Sequence, residues 1–88
     1  MQNNEYLIER GNAAENLLRQ EAFIAASNEL INMYLGGLLQ TTPDQTKERE
    51  MAYAGARAVQ DIAGVLNQWV AMRDQIIENL ANEENDPE

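Results

Sequence analysis

Apolar residues recur at helical spacing along two long stretches of this chain. In the first, Leu17, Ile24, Ile31 and Leu38 fall seven residues apart, with Phe23, Leu30, Tyr34 and Leu35 beside them. This spacing predicts a helix over 12–40. The polar Gln20, Ser27 and Asn28 interrupt it, so the seam is not a clean two-position heptad. In the second stretch, Ala52, Gly55, Val59, Ile62, Leu66, Trp69, Ile76 and Leu80 follow a 3-4 spacing. Ala56, Ala63, Val70 and Ile77 form a line alongside it, with Val65 and Met72 on its other flank. This predicts a second helix over 43–81.

Between them stands Thr41-Thr42-Pro43-Asp44-Gln45. Thr42 suits a helix cap, Pro43 the first helical position, and Gln45 the third position of a capping box. The run therefore predicts a turn near 41–45 that folds the chain back on itself. Residues 1–11 form a polar lead with a short helical turn at Tyr6-Leu7-Ile8. Gly11, followed by Asn12 and Glu15 at capping-box spacing, predicts a break or kink there. The alternative is one continuous helix that tolerates Gly11 at about 1 kcal/mol. The fold class expected is all-α: an antiparallel hairpin of two long helices over 12–81, preceded by the short turn. In that register Leu17 lies near Leu66 and Trp69, Ile24 near Val59 and Ile62, and Ile31 near Ala52 or Gly55.

The apolar face of the second helix is broad, about four of seven heptad positions, while one partner helix covers two or three. Val59, Ile62, Val65, Leu66, Trp69, Val70, Arg73, Ile76 and Ile77 are thus the candidate protein interface, and self-association is the simplest way to complete a bundle. Trp69 reads as core or as an interface anchor. Arg73 lies in line with the stripe. Its stem packs and its head reaches solvent or an acid such as Glu15, or else pairs across a subunit interface. Small residues from Ala52 to Gly64 bury little area, so the turn end should be the less stable one. Gly36-Gly37 is the weak point of the first helix. A frayed last turn is its plainest reading, beside an early end, a bend or close approach of another backbone.

Composition narrows the functional classes. The chain has 88 residues, so one domain is expected. It holds 15 acids against 6 bases, a net charge of −9. That surface repels phosphates and anionic lipid, so direct nucleic-acid and membrane binding are not expected. Five of the acids lie from Glu78 onward with no base among them, and 82–88 should be a disordered acidic tail. With no Cys and no His, disulfides, thiol chemistry and the usual zinc ligands are absent from the sequence. Glu48 and Glu50 point apart on a helix, and Arg57 with Asp61 forms an ordinary i,i+4 pair. Gly36-Gly37 lacks a phosphate-loop pattern, and Asp44 stands without a calcium-loop series. No catalytic, cofactor, metal or small-molecule site is therefore expected, and an enzyme is not expected. The first residues lack a basic stretch and an apolar core, so no signal peptide is expected.

Several positions also carry a resemblance. Phe23, Thr41-Thr42-Pro43-Asp44, Arg49-Glu50, Tyr53, Ala58-Val59 and Leu66 match in order a pattern of short proteins encoded by tailed bacteriophages. The segment from Phe23 to Leu66 resembles that group over about half the chain. Gly36-Gly37 and the added small residues depart from it. The resemblance implies a helical hairpin that acts in virion assembly or as a structural accessory part, in the host cytoplasm or within the virion. Beside the homo-oligomer that the broad apolar face suggests, it raises other virion proteins as partners, and it carries over no active-site residue. An acidic inhibitor or adaptor that binds a host nucleic-acid enzyme is the alternative raised by the charge.

Overall fold

The computed structural model describes residues 2–84 and places them in three helices: α1 (Gln2–Arg19), α2 (Glu21–Leu39) and α3 (Thr46–Glu84). Among the described residues there is no strand. Helices α1 and α2 follow one another along α3, which runs in the opposite sense. Arg73 meets Asn12 and Glu15 at one end, and Gly55 meets Tyr34 nearer the turn. The molecule is a rod of 66 × 25 × 20 Å. Its radius of gyration is 19.0 Å, where a compact domain of this length has roughly 12 Å.

The first arm breaks at Gln20, and not at Gly11. Gln20 has extended backbone (φ −77°, ψ 129°), and its amide bonds back to the Leu17 carbonyl. The cause is a change of phase. Leu7, Gly11, Ala14 and Leu18 turn inward on α1. An unbroken helix would next bring Ala22, Ala25, Glu29 and Asn32 to that side. These are exposed, and Phe23, Ser27, Ile31 and Leu38 turn inward instead. One extended residue re-phases the stripe. It also takes Ile24 off the expected seam and leaves it 44% exposed.

The polar lead is likewise helical from Gln2, continuous through Gly11. Gly11 is buried at the α1–α3 contact. A Cβ there would collide with Arg73 Cβ and come within 2.9 Å of the Trp69 carbonyl oxygen. Close approach of the two backbones, with Ala14 beside them at 3% exposure, offsets the helix cost of glycine.

At the turn, the Gln45 side chain accepts a hydrogen bond from the Thr42 amide at 2.8 Å, the reach-back expected of a capping box. The helix itself starts three residues later than expected. Gln45 N–H bonds to the Thr42 carbonyl, Arg49 N–H to the Gln45 carbonyl, and α3 begins at Thr46. Pro43 thus sits in a tight turn ahead of the helix. Arg49 donates to Thr41 Oγ1 at 3.4 Å, bracing α3 against the end of α2. Helix α2 continues through Gly36-Gly37 to Leu39, and neither glycine has an atom within 4 Å of where a Cβ would stand. The pair therefore serves neither an early end nor a close approach.

At its far end α3 extends to Glu84, past the expected start of a disordered tail at Asn82. Glutamate is a good helix former and continues the last turn. Residues 85–88 of that tail lie outside the described residues.

Candidate functional site

Burial is thin for so apolar a chain. Among the described residues only Ala14, Ala56 and Leu66 are buried hydrophobics, and none is a fully buried large side chain. No residue of α2 is more than half-buried. The nine interface candidates therefore divide. Leu66 is 8% exposed and packs inward between the arms. Val59, Trp69, Val70, Arg73 and Ile76 are half-buried. Ile62, Val65 and Ile77 are exposed. Asp61, Ile62, Val65, Leu66 and Trp69 line a shallow depression of about 290 Å³.

Two arginines organise the end where α1 meets α3. Arg73 keeps only 12% of its side chain exposed. Its Nη1 donates to Glu15 Oε1 at 2.6 Å and to Asn12 Oδ1 at 2.8 Å. Nε and Nη2 donate to Asp74 Oδ1 at 3.0 and 2.9 Å. Glu15 also receives Arg19 Nη2 at 2.6 Å. The hydrogen bond from Arg73 holds the Glu15 carboxyl below its usual pKa, and the charges of Arg19 and Arg73 add to this. Reciprocally, the bonds to Glu15 and then Asp74 raise the Arg73 pKa. The charge in the apolar stripe is thus satisfied within the chain, by the acid the sequence offered.

Arg10 works differently, and its role was not legible beforehand. Its guanidinium lies over the Trp69 ring at 4.4 Å and over the Tyr6 ring at 5.7 Å from their centroids. Nη2 donates to the Met72 sulfur at 3.4 Å, while Nε is buried without a hydrogen-bond partner. The cation–π contacts stand in for the missing bond. The i,i+4 spacing of Tyr6 and Arg10 places them together on α1, but the partnership with Trp69 depends on helix register.

At the turn, Thr42 Oγ1 donates to Asp44 Oδ1. This bond and the Asp44 amide lower the Asp44 carboxyl pKa. Arg57 Nε meets Asp61 Oδ1 at 3.2 Å on an exposed face, as the spacing anticipates. Among the described residues no three His, Cys, Asp or Glu side chains cluster to hold a metal ion. No described helix is long and apolar enough to cross a membrane. What the arrangement offers is contact surface: an exposed apolar strip on α3 beside an arginine-stacked tryptophan.

No family model, no curated protein and no solved structure matches the chain.

Proposed function

We propose that the chain is an antiparallel helical hairpin that completes its core by self-association, and that it acts as a structural or assembly accessory protein of a tailed bacteriophage. Exposed apolar area carries the self-association. A compact monomer of 9.9 kDa exposes roughly 5,200 Å², whereas this chain exposes 6893 Å², about 1,700 Å² more. That excess is of the size a stable homodimer removes from each chain. Contact runs through the broad face of α3, from Val59 to Ile77. The assembly role rests on the motif resemblance between Phe23 and Leu66 and on the lack of any residue set that specifies a reaction.

Light scattering after size exclusion, with circular dichroism on the same peak, tests the reading. A helical dimer or larger oligomer at micromolar concentration is expected, and a well-folded monomer there would overturn it. The net charge of −9 favours a second reading, an acidic inhibitor or adaptor of a host nucleic-acid enzyme. Deleting 82–88 separates the two: salt-sensitive binding to a basic partner is lost in the second case, whereas apolar assembly persists in the first.

A further inference from the structure

We infer that two copies pair side by side and antiparallel through one face of the rod, the face bearing the arginine-stacked Trp69, about a two-fold axis near Val65. This rests on the self-association reading above and specifies its surface and geometry.

The two sides of the rod differ in charge. Ile62, Val65, Trp69 and Met72 recur at three and four residues, so they share one side of α3. Ile62, Val65 and Met72 are 56%, 42% and 43% exposed. Arg10 fixes which side of α1 borders them, because it stacks on Trp69 and touches Met72. From 62 to 72 the chain carries no charge at all. Asp74 and Glu78 lie about 140° and about 180° around α3 from Trp69, and Asp61, an acid bordering this side about 40° from Val65, is paired with Arg57 at 3.2 Å. A chain of net charge −9 associates most readily through its charge-poor side. The depression lined by Asp61, Ile62, Val65, Leu66 and Trp69 has room for a large apolar side chain. Trp69, with Arg10 stacked on it and Met72 touching Arg10, supplies the aromatic, Arg and Met groups enriched at interfaces.

Orientation follows from the ends. Beyond Arg73, α3 carries Asp74, Glu78, Glu83 and Glu84, and the adjoining start of α1 adds Glu5 and Glu9 against Arg10 alone. The turn end, 44–50, carries three acids and two bases. Parallel copies would set the acidic ends together. Antiparallel copies set each against the near-neutral turn end, including Lys47 and Arg49. Val65 is the midpoint of α3, so a two-fold axis there overlaps both helices fully. It brings Ile62 of one copy beside Trp69 of the other, and the same contact repeats by symmetry. The occupant this face fits is therefore a second copy of the chain.

The chain has no cysteine, so single cysteines report the geometry directly. In the full chain, Val65→Cys should form a disulfide-linked dimer on mild oxidation at least tenfold faster than Asn67→Cys, which lies on another side of α3. Met72→Cys should not link to itself, because the axis sets it far from its copy. Val65→Asp, at an exposed position, should leave helicity intact and convert the oligomer to monomer by light scattering. An oligomer that survives Val65→Asp, with Val65→Cys no faster than Asn67→Cys, overturns the face and leaves self-association standing. Rapid linking of Met72→Cys overturns the antiparallel arrangement. A wild-type monomer overturns self-association itself.

Discussion

The two ends of the rod are held by different means. Where α1 meets α3, backbones approach closely at Gly11, Ala14 and Leu66 are buried, and Arg10 stacks over Trp69. Arg73 adds four hydrogen bonds, two of them across the helix interface. Where α2 meets α3, Gly55 lies against Tyr34, Ala56 is buried, and Ala52 and Ile31 are half-buried. Met33, Leu39, Met51 and Tyr53 stay 60% or more exposed, and Gly36-Gly37 lies open. Small residues bring helices together at both ends. Only at the α1 end are they flanked by side chains large enough to exclude water, so burial there is worth more.

The largest test of this contrast is Leu66→Ala. It should cost about 2–4 kcal/mol, measured as loss of denaturant midpoint by circular dichroism. A loss below 1 kcal/mol would mean Leu66 is not the centre of the contact. Gly11→Ala comes next. Its added methyl meets Arg73 and the Trp69 backbone, so an overpacking cost of about 1–3 kcal/mol outweighs a helix gain of about 1 kcal/mol. At the other end the sign reverses. Gly36→Ala or Gly37→Ala meets nothing within 4 Å and should stabilise by about 0.5–1 kcal/mol each, seen as a rise in melting temperature. Equal signs at the two ends would erase the distinction between packing and open glycines.

The smallest expected effect is acidic. The folded-state pKa of Glu15 is lowered, so its contribution to stability is full above the ordinary glutamate value near 4.3 and fades as pH falls through the folded value. The stability difference between wild type and Glu15→Gln should therefore shrink from pH 5 downward. A difference that stays constant to strong acid would remove the Arg73–Glu15 pair from the account.

Much of this architecture was legible because period and turn chemistry are local. The all-helical class, the turn with its Gln45 reach-back and the Arg73–Glu15 pair followed from spacing and from the cost of a stray charge. Intrinsic propensity points to a break at Gly11 because it takes no account of tertiary contact. Gly11 is retained in helix by a contact made 62 residues later in sequence, whereas Gln20, with no capping bond of its own, yields to a phase mismatch between two stripes. Of the candidate surface, Leu66 belongs to the internal contact. Periodicity names apolar positions without saying which neighbour covers each. The Arg10 stack on Trp69 was out of reach for the same reason, since it joins residues far apart in sequence.

Gln20 also sets a boundary in time. With an extended residue at that point, the first amides of α2 lack helical acceptors, and hydrogen exchange there proceeds without waiting for the rod to unfold. The junction is therefore expected to divide the first arm into two cooperative units, with α1, docked on the Arg73 end, exchanging more slowly than α2.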